Sequence, residues 1–389
     1  AKSPGGSSLV SEEDYPAANF ATTVLGRSGL GAFDKTELDK KLKGKYISLS
    51  PLINDEYEGF SGSSTPKDVE TFLQLLYLFF DSPRFDENMC NLVVSETKNQ
   101  LKLLSSNPQM IFVDTLLKTA YQNDIRKIQV PDEKFMDGVT FERVKRVYLD
   151  RFADASDFVF TFVGNIDEQV FLPLMEKYLG NLPTTGRVET FKDVSKPFSP
   201  QTQTVSVTAG VEEQGILAIL FEEKFEWNVK NRVSVDIFDE VVTMLFIEEI
   251  REKMGGVYSP SVSFSTEKTP VPTFSGVIYL SCDPKKAKKI SSASFKILNN
   301  LLAKGIDDDH FAKAVTQIKK SRETRAKENT FWRNYISGQI FNGDDLKDKD
   351  AYDNLLGSIT KEEVLEVVKQ SLNTAHYVEV TLYPEKKKK

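Results

Sequence analysis

Apolar residues recur every three or four positions over long stretches of the chain, and in shorter stretches they alternate with polar residues. The first pattern is typical of amphipathic helices and the second of strands. We therefore predict helices at residues 34–42, 68–80, 87–104, 140–152, 167–179, 229–253, 285–302, 308–327 and 360–372. We predict strands at residues 46–52, 57–61, 158–163, 204–207, 217–222, 258–265, 274–282 and 378–382. Asp34 and Glu37 have the spacing of a capping box at the start of the first helix.

Part of this pattern occurs twice. Residues 139–164 align without a gap with residues 359–384, 220 positions later, and each segment has the pattern of a helix, a short polar turn and a strand. Apolar residues coincide at four aligned pairs, which are Val144 and Val364, Val147 and Val367, Phe152 and Leu372, and Phe160 and Val380. A repeat of this length indicates duplicated domains, not a stacked array of short units. We predict an α+β fold of two duplicated domains, each an antiparallel sheet packed against helices.

The two predicted domains are separated by a segment of different composition. Residues 183–203 are polar, contain prolines and show no hydrophobic period, which is typical of a linker. We therefore place the first domain at residues 1–182 and the second at residues 204–389. A chain of 389 residues is long enough for two domains of this size.

The charge of the chain limits the partners that it can have. Its 50 basic and 57 acidic side chains give a net charge of −7, which argues against binding to nucleic acid or to an anionic membrane surface. No apolar run in the sequence is long enough to span a bilayer. The sequence begins at Ala1 without a recognisable secretion signal, so we expect either a processed chain or part of a longer one.

The sequence contains few of the histidines and cysteines that often carry out catalysis or bind metals. The chain has two cysteines and two histidines, no phosphate-binding Gly-rich loop and no G-x-S-x-G motif. We expect Cys90 and Cys282 to lie in the core, and His376 to be exposed in a polar turn. His310 follows three aspartates at the start of a predicted helix. There it belongs either to a helix cap or, alternatively, to a weak cation site.

The segment 250–259 is the strongest candidate for a binding site. The helix predicted at residues 229–253 ends in basic residues, Gly255 and Gly256 permit a left-handed turn, and a strand follows at once. On the simpler interpretation, Arg251 complements the helix dipole and Tyr258 is an ordinary strand aromatic. On the other, the turn holds the guanidinium and the phenol near each other, as two donors that grip a peptide carbonyl or carboxylate.

Two duplicated α+β domains, with Arg251 and Tyr258 placed across a helix, a Gly-Gly turn and a strand, resemble the pitrilysin and insulinase family of zinc peptidases. The resemblance covers nearly the whole chain and extends to residues 76–86 and 93–96. Members build a closed chamber from two halves, and the catalytic half carries the inverted zinc motif H-x-x-E-H. The other half lends an arginine and a tyrosine that contact the substrate backbone. The resemblance therefore implies that Arg251 and Tyr258 bind substrate.

In this family the zinc motif of a catalytic half would lie in a helix that ends near Ser28. Here Asn19, Thr22 and Thr23 stand where the motif has its histidines and its catalytic glutamate. Glu96 lies near the position of the third ligand, several residues out of register. Amides and hydroxyls are poor zinc ligands, and the base that would activate water is missing. We therefore expect this degenerate motif to bind no metal and the chain alone to cleave no peptide.

The resemblance implies the non-catalytic half of a zinc metalloendopeptidase, as part of a longer chain or as a separate subunit. Its expected partners are a peptide substrate and a catalytic half that holds the zinc, and no cofactor is expected on this chain. A periplasmic or cell-envelope location follows from exported relatives, and an exposed half-chamber favours a homodimer in isolation. The alternative is a stand-alone peptide-binding or scaffold protein of the same fold. An independent hydrolase is disfavoured, because Thr22 and Thr23 have no histidine in the same domain.

Overall fold

The computed structural model describes residues 1–257 and 259–385, so Tyr258 and Lys386 to Lys389 lie outside the described residues. Its α-helices are α1 (Tyr15–Ser28), α2 (Lys35–Leu42), α3 (Val69–Asp81), α4 (Glu87–Leu104), α5 (Pro108–Ala120), α6 (Glu133–Asp137), α7 (Phe141–Phe152), α8 (Glu168–Tyr178), α9 (Val229–Phe246), α10 (Ala287–Lys304), α11 (Asp308–Arg325), α12 (Asn329–Asn342), α13 (Asp348–Ser358) and α14 (Lys361–Ser371). Its strands are β1 (Lys2–Pro4), β2 (Ile47–Ile53), β3 (Tyr57–Ser64), β4 (Gln203–Thr208), β5 (Gly215–Lys224), β6 (Ser261–Glu267), β7 (Thr273–Cys282) and β8 (Val378–Tyr383). No helix in the described ranges is both long and apolar enough to cross a membrane.

Local sequence signals explain where several helices begin. The side chain of Asp34 accepts a hydrogen bond from the backbone N–H of Glu37, and Glu37 accepts one from Asp34 in return, which forms the predicted capping box of α2. Thr360 and Glu363 form the same box at the start of α14. Thr140 caps α7 with its hydroxyl oxygen. All three helices therefore begin within one residue of the predicted position.

The described chain divides into two compact units. Unit 1 combines residues 1–102, 131–194 and 329–343, and unit 2 combines residues 103–130, 195–328 and the chain from Asp344 onward. The predicted contiguous domains, 1–182 and 204–389, differ from these units because α5 belongs to unit 2 and α12 to unit 1. The reason for α5 is its apolar face, which packs on the sheet of unit 2 through Phe112, Leu116 and Ala120.

Unit 1 is built on a small antiparallel sheet with the strand order β1-β3-β2. Ile47 of β2 pairs with Ser64 of β3, and this register continues along both strands. Phe60 of β3 points into the core, where its ring centroid lies 5.2 Å from that of Phe80 and 5.1 Å from that of Phe152. Because α3 supplies Phe80 and α7 supplies Phe152, both helices cover the same face of the sheet.

Unit 2 contains a five-stranded sheet with the order β4-β8-β5-β7-β6. Side chains of β5 alternate between two apolar clusters, as they must in a strand that is covered on both faces. Leu217, Ile219 and Phe221 pack with residues of α9, α10, α11 and α14. Ile216, Ala218 and Leu220 pack with α5 on the opposite face. The sheet is therefore the middle layer of three.

The two sheets share a topology, which confirms the predicted duplication. In unit 1, one side of β1 pairs with β3. The other side forms a bridge from Lys2 to Val159, a residue that follows α7. In unit 2, β5 lies between β7 and β8, and β8 follows α14. Helices α7 and α14 are the helices of the sequence repeat. The segment after each of them therefore pairs with the corresponding strand, Val159 with β1 and β8 with β5.

Three details of the predicted strands are wrong. Residues 158–163 form only the bridge at Val159, since β1 has three residues and offers little length for pairing. Strand β6 begins at Ser261, later than the predicted residue 258. The sheet of unit 2 is also not purely antiparallel, because β4 and β8 run parallel. Helices α1, α5, α6, α12 and α13 and strand β1 were not predicted from the hydrophobic pattern, and the fold class itself is confirmed.

Candidate functional site

The candidate site lies at the end of α9, where the helix changes its geometry. Helix α9 begins at the cap residue Asn228, whose side chain accepts a hydrogen bond from the backbone N–H of Asn231. From Ile247 to Met254 the chain continues as a π-helix, which is wider than an α-helix and is often found at functional sites. Ile250 anchors this π-helical segment, since its side chain is fully buried. The sequence predicted a continuous helix to residue 253 and gave no sign of the change.

Two glycines then turn the chain away from the helix. Gly255 has a φ of 62° and Gly256 a φ of 94°, and both values lie in the region that favours glycine. The backbone N–H of Asp283 donates to the carbonyl of Gly256 at 3.3 Å. Val257 forms a bridge with Cys282, the last residue of β7. The Gly-Gly turn is therefore attached to the end of β7, as the predicted helix–turn–strand junction requires.

Arg251 projects from the π-helical segment into solvent. Within residues 1–257 and 259–385, no hydrogen bond or ion pair engages its guanidinium. Its neighbour Lys253 is different, because its ammonium pairs with Glu249 at 2.5 Å. A guanidinium has five N–H donors in a planar fork, so Arg251 is open to an oxygen-bearing ligand. Tyr258 lies outside the described residues, and its proximity to Arg251 stays a prediction.

His310 lies beside the π-helical segment, with one carboxylate near each of its ring nitrogens. Its backbone N–H donates to Oδ1 of Asp307 at 3.0 Å, and its ring Nδ1 lies 2.7 Å from Oδ2 of the same residue. These bonds lower the pKa of the Asp307 carboxyl. The other ring nitrogen, Nε2, lies 3.3 Å from a carboxylate oxygen of Glu248 on the π-helical segment. The arrangement is a cap for α11, as the simpler interpretation predicted.

The degenerate zinc motif lies on one face of α1. Asn19 and Thr23 are exposed and Thr22 is half-buried, and the amide of Asn19 donates to the carbonyl of Tyr15 at 2.9 Å. A zinc ion would have to be bound by the amide oxygen and the two hydroxyls, and all three are weak zinc ligands. These residues do not fit a zinc ion.

Glu96 of α4 also has a partner that takes the place of a metal. Its carboxylate forms an ion pair with Arg27, which lies one helical turn beyond Thr23 on α1. Glu96 therefore does lie beside the helix of the degenerate motif, but its charge is balanced by a guanidinium. No group of three or more His, Cys, Asp or Glu side chains in the described part of the chain is placed to hold a metal ion.

The two cysteines and His376 are either buried or bonded to other parts of the chain. Both cysteines are buried as predicted, and burial raises the pKa of the Cys282 thiol to about 11. His376 is only partly exposed, contrary to the prediction. Its Nδ1 lies 2.8 Å from Glu223 and its Nε2 lies 2.7 Å from the carbonyl of Ser199, and the bond with Glu223 raises the pKa of its imidazole. No local signal in the polar turn at 373–377 indicates these distant partners.

Comparison with known proteins gives the site a context. Residues 138–318 match the family model described as the peptidase M16 inactive domain. The probable zinc protease PqqL of Haemophilus influenzae is similar at 22% identity over 346 residues, which cover 85% of this chain and 36% of the relative. PqqL of Escherichia coli is 21% identical and matched over 38% of its length. The chain thus spans little more than a third of the curated relatives that it matches.

Solved structures show the same fold. The periplasmic protease PqqL from Escherichia coli superposes with a TM-score of 0.85 at 20% identity, over 99% of this chain and 42% of that one. A peptidase M16 inactive domain from Pseudomonas fluorescens superposes with a TM-score of 0.81 at 15% identity. That match covers 100% of this chain and 93% of the other. At these identities the structural match establishes the fold alone.

Proposed function

Because residues 138–318 match the peptidase M16 inactive domain and the chain is homologous to PqqL zinc proteases, we propose that it forms the non-catalytic half of a zinc metalloendopeptidase. The resemblance to zinc peptidases that the residues indicated is confirmed at the level of the family. In the proposed assembly this chain encloses a peptide substrate together with a catalytic half. The catalytic half is either joined to it in one longer chain or a separate subunit.

The single observation that carries the proposal is the open guanidinium of Arg251. An exposed arginine for which the described residues supply no acidic partner is available to a peptide carbonyl. Charged hydrogen bonds are stronger than neutral ones, and they strengthen further as negative charge develops on the carbonyl oxygen. Arg251 and Tyr258 would hold the substrate backbone and favour that developing charge.

The zinc and the base that activates water would belong to the catalytic half. Support for this division comes from α1, where Asn19, Thr22 and Thr23 present only an amide and hydroxyls. The carboxylate of Glu96 is paired with Arg27. Since these residues do not fit zinc, this chain would contribute enclosure and substrate contacts. A periplasmic location is proposed on the same basis, because the E. coli relative is described as a periplasmic protease.

A stand-alone peptide-binding or scaffold protein is the second candidate. The observation that favours it is the inactive domain from P. fluorescens, a chain of which the match covers 93%. An inactive domain of this size can therefore be prepared as a chain of its own. In that case this chain would bind peptide, or a second copy of itself, without a catalytic half.

The test is to mix this chain with a purified PqqL catalytic half that carries H-x-x-E-H, and to follow cleavage of a fluorogenic peptide. We expect activity to appear only in the mixture. Arg251→Ala should lower kcat/KM about 10- to 100-fold, the loss typical for one donor to a developing oxyanion. Lys253→Ala is the matched control, because Lys253 lies on the same helical segment but is paired with Glu249.

Binding of the same peptide to this chain alone, measured by fluorescence anisotropy, separates the two candidates. Activity in the mixture that Arg251→Ala removes supports the peptidase half. Peptide binding that is unaffected by the catalytic half, with no cleavage in any mixture, supports the stand-alone binder. Cleavage that Arg251→Ala leaves intact contradicts the proposed role of Arg251.

A further inference from the structure

Lys286 reaches the Gly-Gly turn from a different element. It lies directly before α10, and its Nζ donates to the carbonyl of Gly255 at 3.4 Å. Its side chain also passes over Gly256. A Cβ atom placed on Gly256 would lie 3.0 Å from Cδ of Lys286 and 3.1 Å from Nζ. Gly256 therefore leaves room for the lysine, in addition to adopting a φ of 94°.

The position of this ammonium suits the end of a long helix. The last carbonyls of a helix lack partners within it, and the helix dipole makes this end negative. Gly255 is the C-cap of the π-helical segment that continues α9, and its carbonyl is the one that Lys286 reaches. A lysine that bonds the last carbonyls of a helix stabilises that end.

The turn has few other restraints. Glycine has the greatest backbone freedom of any residue, so two in succession form a flexible joint unless other contacts restrict them. On the strand side, the backbone of Gly256 accepts one bond from Asp283, and Val257 forms the bridge to Cys282. On the helix side, the contact with Gly255 comes from Lys286. Lys286 thus restrains the half of the turn that is closest to Arg251.

We propose that Lys286 is a positioning residue for Arg251, which it holds in place by fastening the Gly255–Gly256 turn to the start of α10. The proposal rests on the proposed function of Arg251. Lys286 acts through the turn, and substrate contact belongs to Arg251. Loss of Lys286 would let the helix end fray and the guanidinium sample more directions, and poorly directed groups lower catalytic rate more than binding.

The experiment compares three variants of the full chain. Lys286→Met keeps an unbranched side chain but removes the ammonium, and Lys286→Arg keeps the charge. Lys285→Met is the matched control, because Lys285 is the exposed neighbour on the same short turn and has no contact with the glycines. Amide hydrogen exchange across residues 255–257 reports the turn directly, and it needs no catalytic half. We expect about tenfold faster exchange in Lys286→Met, rates near wild type in Lys286→Arg, and no change in Lys285→Met.

Peptidase assays with the catalytic half then test the link to Arg251. We expect Lys286→Met to lower kcat by about fivefold with little change in KM, and to have no further effect in the Arg251→Ala background. Unchanged exchange in Lys286→Met overturns the restraint, and a kcat loss that persists with Arg251→Ala overturns the link to Arg251. If Arg251→Ala itself leaves activity intact while exchange still responds, the proposed function fails and the restraint of the turn stands.

Discussion

Helices α1 and α9 occupy corresponding places in the two units and end in different surroundings. Helix α1 follows β1 and precedes the antiparallel pair of β2 and β3. Helix α9 follows β5 and precedes the antiparallel pair of β6 and β7. Helix α1 ends with the exposed Arg27 and the left-handed Gly29, and the π-helical segment that continues α9 carries the exposed Arg251 and ends at the left-handed Gly255. Arg27 is paired with Glu96, whereas no residue of the described chain pairs with Arg251. The comparison shows that a carboxylate on a neighbouring helix decides whether such an arginine is available to a ligand.

The starts of the two helices also differ. The loop before α1 is held by Glu58, a fully buried residue of β3 whose carboxylate accepts a hydrogen bond from the backbone N–H of Gly6 at 2.6 Å. Helix α9 begins at Asn228, a neutral cap. The turn at Gly6 that precedes α1 therefore depends on an ionisable group, whereas the cap of α9 is neutral.

The largest expected effect concerns the two glycine turns. A Cβ on Gly29 would lie 2.2 Å from the backbone carbonyl oxygen of Phe33, whereas a Cβ on Gly255 would meet no atom within 4 Å. Gly29→Ala should therefore destabilise unit 1 by about 4 kcal/mol, since backbone must move. Gly255→Ala should destabilise unit 2 by only about 1 kcal/mol, the ordinary penalty of a left-handed alanine.

Urea unfolding can distinguish the units, because Trp332 lies in unit 1 and Trp227 in unit 2. In a Trp227→Phe background the fluorescence reports unit 1, and in a Trp332→Phe background it reports unit 2. Equal losses for the two glycine substitutions would contradict the structural difference between the turns.

The next effect is a pH dependence of unit 1 that Glu58 causes. Burial raises the pKa of this carboxyl from 4.5 to about 7. A raised pKa in the folded state means that the contribution of Glu58 is full below pH 4.5 and is lost as the pH rises towards 7. We expect unit 1 to lose about 3 kcal/mol of unfolding free energy over that interval, and Glu58→Gln to remove most of this slope.

The measurement is a series of urea titrations in the Trp227→Phe background between pH 4.5 and 7.5, with about 0.5-unit steps. Glu58→Gln should leave the transition of the Trp332→Phe background unchanged. A slope that persists in Glu58→Gln would assign the pH dependence to another group.

The smallest expected effect is that of releasing Arg27. Glu96→Gln removes the charge that neutralises it, and since both side chains are nearly half exposed, the stability change should stay within about 0.5 kcal/mol. An arginine-selective reagent such as phenylglyoxal, followed by mass spectrometry, measures the availability of each guanidinium. Arg251 should react faster than Arg27 in the wild type, and Glu96→Gln should raise the rate of Arg27. Equal rates in the wild type would contradict the comparison.

Local signals predicted much of the fold, and distant contacts account for what they missed. The capping residues Asp34 and Thr360 lie within three residues of their partners, so the starts of α2 and α14 were predictable. The place of α5 in unit 2 depends on strands β5 and β8, which begin 107 and 270 residues after the start of α5, and no local pattern contains that information. The same holds for residues 158–163, whose failure to form a full strand reflects the short length of β1.

The candidate site shows the same division. The helix, the Gly-Gly turn and the strand at residues 229–265 were evident from the sequence. The change to a π-helix at Ile247 and the approach of Lys286 to Gly255 were not, because both depend on packing between elements. The partner of Glu96 was also hidden, since Arg27 lies 69 positions away.

The place of β8 in its sheet has a consequence for synthesis of the protein. Strand β8, at residues 378–383, lies between β4 and β5, which are made more than 150 residues earlier. While the ribosome is still adding those intervening residues, β4 and β5 have an empty space between them and expose backbone donors and acceptors. The sheet can close only after β8 has left the exit tunnel. A nascent chain that carries unit 2 therefore exposes two unpaired strand edges until β8 is made. Chaperones that bind extended segments would bind at these edges.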